Sequence, residues 1–203
     1  MDHCRVSIKN MSDLLYEHIA KKITLSKDDF ARFLKLTKRE NIEKNNFFLH
    51  EGNIAKYIAF VNSGALYSYS TDEKGNKHVI QIAMEGYWIG DLSSFLSEEI
   101  SKFNVQAIVL TEVIFLNKPN FEKVCIEIPC FERFFRLLIQ NAYVNSQKRV
   151  SSIYGESVKT RYLELIKIHP TLIQRIPQHY IASYLGIKPQ SLSRIRKDLS
   201  KNK

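Results

Sequence analysis

The chain has little of what marks several large protein classes. Its 203 residues include only seven glycines, five prolines and three cysteines. So few glycines and prolines exclude collagen-like and low-complexity chains. Cys4, Cys125 and Cys130 are an odd, scattered set, neither a disulfide framework nor paired CxxC zinc half-sites. No apolar run approaches the length that spans a bilayer. The opening stretch MDHCRVSIKN lacks the apolar centre of a secretion signal, which predicts a cytoplasmic address. There is no glycine-rich phosphate loop and no GxSxG nucleophile elbow. The six histidines (His3, His18, His50, His78, His169, His179) fall in unrelated segments, and no His-x-His pair lies on one strand. A metal-dependent barrel enzyme needs such ligands to converge. The chain is therefore expected not to be an enzyme, with no metal site and no evident cofactor.

What remains is ordinary globular composition, 44% hydrophobic and 25% charged, with its charge unevenly placed. The net charge is +9, and the stretch from Glu156 onward holds ten Lys/Arg against three acids. A net +7 of the +9 thus sits in the last 48 residues, a basic module on a nearly neutral body. That is the electrostatic footprint of a nucleic-acid binder.

The texture changes twice along the chain. Up to about residue 45 the reading is helical: SDLLYEHIAKKI and SKDDFARFLKLT each open on a serine cap followed by acids and spaced apolar residues. From about 47 to 117, short β-branched and aromatic runs alternate with turn signals at Asn62-Ser63-Gly64, Asp72 to Asn76 and Glu85-Gly86. Many short strands at this spacing predict an antiparallel sandwich or barrel. The link STDEKGNKH reads as a hairpin tip, with Gly75 and Asn76 tolerant of positive φ. After Pro119 the pattern is helical again, and from Cys130 to Ile153 nothing breaks it. In that helix Phe135, Ile139, Ala142, Ser146, Val150 and Ile153 recur every three or four residues, close to a coiled-coil seam. A helix so apolar at its start has two faces to bury, which predicts that it pairs two copies of the chain. Gly155 ends it, Ser157 caps the next helix, and Pro170 closes that one. Three parts result: 1–128, a sensor-like strand domain; 129–155, the dimerisation helix; and 156–203, a helical DNA-binding domain.

The C-terminal part carries the most specific pattern. Counted from Gln178, Ala182 is at position 5 and Gly186 at position 9, where two helices of a helix-turn-helix touch and turn. Ile181, Leu185, Ile187, Leu192 and Ile195 take positions 4, 8, 10, 15 and 18, which face the core. The second helix, from about Pro189 to Leu199, then presents Gln190, Ser191, Ser193, Arg194 and Lys197 outward. Gln pairs with adenine and Arg with guanine, which makes Gln190 and Arg194 the candidate base readers. Lys188, Arg196, Lys197 and Lys201 are placed for phosphates.

With FFLHEGNIAKYIAFVNSGAL, DEKGNKHVIQIAMEGYWIGDLSSF, the unbroken helix from Cys130 and IPQHYIASYLGIKPQSLSRIRKDL in this order, the chain resembles the Crp–Fnr superfamily of bacterial transcription regulators along nearly its whole length. The resemblance implies an α+β fold: a jelly-roll-like antiparallel β-roll with flanking helices, a long dimerisation helix and a C-terminal winged helix-turn-helix. It implies double-stranded DNA as partner, a homodimer, and RNA polymerase if the regulator activates. It also places an effector pocket at Gly90, Asp91, Leu92 and Lys102, with Ser146 and Gln147 on the dimer helix facing the base. The chain departs from the family there. Relatives that bind cyclic AMP carry Gly-Glu-Leu, then an Arg-Ser or Arg-Thr that grips the phosphate. Here the first reads Gly90-Asp91-Leu92, and the second falls in EEISKFNVQA, whose one cation is Lys102. Lysine is a point charge without the bidentate fork an anionic phosphate favours. The effector is therefore expected not to be cyclic AMP bound in the usual mode. The iron–sulfur branch needs four cysteines, mostly near the N-terminus, where only Cys4 lies. Cys125 and Cys130 read as small apolar fillers. Pro189 and Gln190 replace the Arg and Glu of the cyclic AMP receptor type, while Arg194 matches, which predicts a different operator. The alternative reading is a ligand-binding sensor that acts through a protein partner rather than DNA.

Overall fold

A computed structural model of the chain describes residues 13–201. The serine cap expected at Ser12, together with Cys4 and His3, lies outside the described residues.

The chain divides into two compact units, residues 1–68 with 81–140, and residues 69–80 with 141–203. The division runs through the long helix and through one hairpin. In the first unit, two helices, α1 (Asp13–Ala20) and α2 (Lys27–Leu34), precede the strands. Ser26 caps α2, its Oγ accepting from the Asp29 N–H at 3.0 Å. The strands are β1 (Lys38–Ile42), β2 (Phe47–Leu49), β3 (Tyr57–Ser63), β4 (Ala65–Thr71), β5 (Lys77–Met84), β6 (Trp88–Ile89), β7 (Asn104–Ala107) and β8 (Thr111–Asn117). They form two four-stranded sheets, ordered β1-β8-β3-β6 and β2-β7-β4-β5, the antiparallel roll that the spacing predicts.

Strand β1 falls where the sequence reads as helix. Its residues KRENI bury only Ile42, so no alternation shows. Pairing holds it instead: Lys38 to Ile42 register against Phe115 to Thr111, and Arg39 meets the buried Glu112 carboxylate at 3.3 Å. Gly64 is the one glycine the roll requires sterically. It has φ +94°, and a Cβ there would lie 2.6 Å from the Leu110 carbonyl oxygen.

Short helices α3 (Leu92–Ser97) and α4 (Lys118–Glu127) flank the roll, and α5 (Pro129–Gly155) follows. Pro129 begins α5, in the first turn, where its missing N–H costs nothing. The first turns of α5 bring Phe131, Phe134 and Phe135 into an aromatic core with Phe33, Phe60, Trp88 and Phe121. Phe33 stacks on Phe131 with ring centroids 4.4 Å apart. Burying side chains of this size is worth roughly 2–3 kcal/mol each by area. Phe135, expected in the dimer seam, is thus a core residue of its own chain and 2% exposed. Its place in the aromatic core makes it unavailable to a partner.

In the second unit α5 runs on to Gly155, followed by α6 (Val158–Ile168), α7 (Leu172–Arg175), α8 (Gln178–Tyr184) and α9 (Pro189–Lys201). Ser157 caps α6, accepting from the Thr160 N–H at 3.1 Å. Among the described residues no strand follows Asn117, so the wing expected beside the helix-turn-helix does not appear. The tip of the β4–β5 hairpin belongs to this unit as well. There Asp72 Oδ1 accepts from the N–H groups of Lys74 and Asn76 at 2.9 and 2.8 Å, while Gly75 takes φ +81°. Asn76 contributes these hydrogen bonds and not a positive φ. The Asn76 amide, then His78, hold the Asp72 carboxyl well below the usual carboxylate range. None of the described helices is long and apolar enough to cross a membrane.

Candidate nucleic-acid interface and effector region

The α8–α9 pair has the geometry its sequence predicts. Ile181, Ala182, Leu185 and Leu192 are buried, while Ile187 and Ile195 are half-buried. Gly186 takes φ +71°, its N–H donating to the Ser183 carbonyl and the Ile187 N–H to that of Ala182, both at 3.0 Å. Those two bonds are a Schellman motif, which closes α8 and turns the chain into α9. Leu192 holds α9 against α8 and turns the polar side out. Lys188, Gln190, Ser191, Ser193, Arg194 and Lys197 are all exposed on it, as is Arg196. The side chain of Lys201 lies outside the described residues.

Two of these groups are already engaged. The Ser193 hydroxyl accepts from Gln178 Nε2 at 2.9 Å, and Arg196 donates to Gln178 Oε1 at 3.5 Å. Gln178, to which the sequence assigns no role, therefore braces α9 from the first residue of α8. Gln190 and Arg194 stay on the exposed face, within the first turn and a half of α9.

The effector region has the opposite character. Asp91 caps α3, its Oδ1 accepting from the Ser94 N–H at 3.1 Å, and its Oδ2 accepts from the Ser101 hydroxyl at 2.7 Å. Asp91 is 5% exposed and Ser101 1%. The Ser94 hydroxyl in turn donates to the Glu99 carbonyl at 2.5 Å and accepts from the Ala55 N–H at 2.9 Å. Both carboxylate oxygens expected to meet a ligand thus have partners within the chain. Gly90 and Leu92 flank Asp91 half-buried, and Lys102 is exposed. Ser146 and Gln147 lie in the other compact unit, exposed on α5. Ser101 completes this closed cluster and was missed because a lone serine in EEISKFNVQA gives no signal by itself. Burial pushes the Cys125 thiol up to about 11 and raises that of Cys130, which suits the filler role expected of both. Among the described residues no group of three or more His, Cys, Asp or Glu is placed to hold a metal ion.

Comparison with known proteins follows the same division. Residues 39–127 match the cyclic nucleotide-binding domain family. A comparison with curated protein sequences finds no match. Among solved structures, the chain is similar to FixK2 from Bradyrhizobium japonicum, with 17% identity and a TM-score of 0.67, covering 82% of this chain and 85% of that one. It is similar to the c-di-GMP-responsive global regulator CLP of Xanthomonas campestris, with 13% identity, TM-score 0.66, and 87% and 93% covered. The Thermus thermophilus catabolite activator protein matches with 17% identity, TM-score 0.58, and 88% and 85% covered. Residues 39–127 are thus similar to the cyclic nucleotide-binding domain family, and over most of its length the chain shares the fold of these solved structures.

Proposed function

We propose that the chain is a homodimeric, sequence-specific DNA-binding transcription regulator, and that its β-roll does not take cyclic AMP in the usual mode. The observation that carries the DNA reading is α9: Gln190 and Arg194 exposed on a helix whose other side is anchored by Leu192, in the most basic part of the chain. Such a face supports bidentate reading of adenine and guanine, while Lys188, Arg196 and Lys197 supply phosphate contacts. The dimer reading is supported by the second half of α5, where Tyr143, Val144, Val150, Ile153 and Tyr154 are exposed, Tyr154 at 87%. Apolar groups in that number on one solvated helix favour a partner helix. Ala142 and Ser146, exposed on the same stretch, give the close approach such a pair needs. Two recognition helices on a two-fold axis then meet half-sites about 34 Å apart. An activating mode would add RNA polymerase as a partner.

Selection of bound sites from random duplexes, with and without cell extract or added nucleotides, tests the reading. The expected outcome is a roughly palindromic site whose binding weakens steeply with salt. Failure to retain duplex DNA at low salt would instead favour the sensor that acts through a protein partner. The reading of the β-roll is supported by the closed Asp91–Ser101 cluster. Addition of cyclic AMP is expected to leave the melting temperature unchanged, because a ligand of the native state alone must raise it.

A further inference from the structure

Among the described residues, strand β5 is an edge strand, with one side unpaired by any other strand. Unpaired edges are ordinarily blunted, by charge, by a bulge or by a cover. Here the cover is built from two side chains of the helical unit. The Ser183 hydroxyl on α8 accepts from the Val79 N–H at 3.0 Å and donates to the Lys77 carbonyl at 2.8 Å, standing in for a neighbouring strand. One residue further on, the Arg149 guanidinium on α5 donates to the carbonyls of Ile80 and of Val79, the latter at 3.0 Å. The same guanidinium donates to the Tyr184 carbonyl at 3.2 Å and lies 4.3 Å from the centroid of the Tyr184 ring. Tyr184 is the last residue of α8, so the cation also sits at the negative end of that helix. Val79 itself is 2% exposed. Burial holds Arg149 below its ordinary pKa, and main-chain carbonyls with an aromatic face surround the charge.

The contacts converge from three segments. The hairpin brings Lys77 to Ile80, the dimer-type helix brings Arg149, and the first helix of the helix-turn-helix brings Ser183 and Tyr184. The exposed side of α9 takes no part in them. Gln190, Ser191, Arg194 and Lys197 remain solvent-exposed with these contacts in place. The contacts therefore order the DNA-reading pair without covering it, and order established beforehand lowers what binding must later impose.

We propose that Arg149 and Ser183 form a catch that clasps α8 to the free edge of the β4–β5 hairpin, and that the closed catch is the DNA-competent arrangement. This rests on the DNA-binding reading above. The hairpin is continuous with the β-roll, so a signal in the roll that shifts β5 along its axis breaks the register of four main-chain groups with two side chains. Opening the catch frees α8 and lowers operator affinity. Lysine in place of Arg149 cannot serve several carbonyls from one planar fork, so it retains only part of the effect.

The test compares the parent with Arg149→Ala, Arg149→Lys and Ser183→Ala on a duplex obtained from the parent by random-site selection. Hydrogen exchange at the Val79 amide is followed alongside. Emission from Trp88, the chain's single tryptophan, reports the aromatic core of the roll in every variant. Arg149→Ala and Ser183→Ala are expected to speed exchange at Val79 and weaken duplex binding about tenfold, a typical coupling between sites. Arg149→Lys is expected to fall between them and the parent. The effects of the two alanine variants are expected not to add in the double variant. If Arg149→Ala disturbs Trp88 emission, Ser183→Ala and Arg149→Lys decide. Faster exchange with unchanged or tighter DNA binding overturns the proposal, as does unchanged exchange. A parent that retains no duplex overturns the DNA reading and the catch with it, whereas a parent that binds with indifferent variants sinks the catch alone.

Discussion

Two polar constellations dominate the molecule, and they handle their hydrogen bonds in opposite ways. Around Asp91 every strong group is turned inward: the carboxylate to Ser94 and Ser101, the Ser94 hydroxyl to Ala55 and Glu99. Along α9 Gln190, Arg194 and Lys197 face water, while Ser193 and Arg196 are tied back through Gln178. Buried, satisfied polar groups hold a fold together, while exposed donors of fixed geometry are free to recognise something else. The contrast separates structure from function better than either region's resemblance to relatives. Where the sequence resemblance implies a ligand, this chain has a closed cluster, and where it implies DNA contacts the groups are exposed.

The contrast is broken most severely by Asp91→Ala. The change removes a helix cap, leaves the Ser94 amide buried without an acceptor and leaves the Ser101 hydroxyl only the Phe103 carbonyl at 3.1 Å, which together cost about 2–3 kcal/mol. Denaturant unfolding followed by Trp88 emission should show the loss. A drop below about 0.5 kcal/mol, the range of ordinary surface changes, would mean that the cluster is not structural. Arg194→Ala is the mirror experiment. Stability should stay within about 0.5 kcal/mol of the parent, because the side chain is exposed. Binding to the selected site should fall by about 1–3 kcal/mol, with selectivity relaxed at one base position. Competition between matched and single-mismatch duplexes checks it, and a uniform loss across sequences would reassign Arg194 to phosphate.

The roll's closure has exceptions that acid should expose. Among the buried side-chain polar atoms, His18 Nε2 and Trp88 Nε1 have no hydrogen-bond partner, and both rings pack around Phe60 and Phe134. Burial, helped by Lys22 and Lys21, lowers the His18 pKa from 6.5 to about 4. The unfolded chain therefore binds this proton more readily than the folded one. The stability that neutral His18 allows is fully present above pH 6.5 and is lost as pH falls from there toward about 4. Solvent screening of a half-buried group keeps the slope to at most about 1 kcal/mol per pH unit. Melting temperatures of the parent and of His18→Phe between pH 7.5 and 4.5 isolate the effect, since only the parent should carry this component of the slope.

Much of this was legible in the residues. The alternation of short strands between 47 and 117, the unbroken helix from Cys130, and the spacing of Ala182, Gly186 and Leu192 each follow from local periodicity and turn chemistry. What escaped depends on partners distant in sequence. Strand β1 shows no apolar alternation because β8 holds it by backbone pairing. Phe135 satisfies the seam spacing equally well whether it faces a second helix or its own core, and Phe121 with Trp88 decided for the core. The Asp91–Ser101 bond spans ten residues of loop and helix. Arg149 and Ser183 are ordinary residues on two helices until the hairpin edge is set beside them. Periodicity reports which face of an element is buried, not which neighbour buries it.

The smallest expected effect separates the two kinds of contact within α9 itself. Lys197 is exposed like Arg194, but a lysine meets a phosphate as a point charge without the fork that reads guanine. Each phosphate contact neutralised by the protein releases condensed counterions, and the slope of log affinity against log salt is about 0.9 per contact. Lys197→Ala should therefore reduce that slope by about 1 per recognition helix while leaving the ranking of duplexes unchanged. Titrations between low and moderate salt, on the selected site and on a scrambled one, give both quantities together. Equal loss on the two duplexes marks Lys197 as an anchoring contact. A loss confined to the selected site would move it into the reading set and extend the recognition surface a turn beyond Arg194.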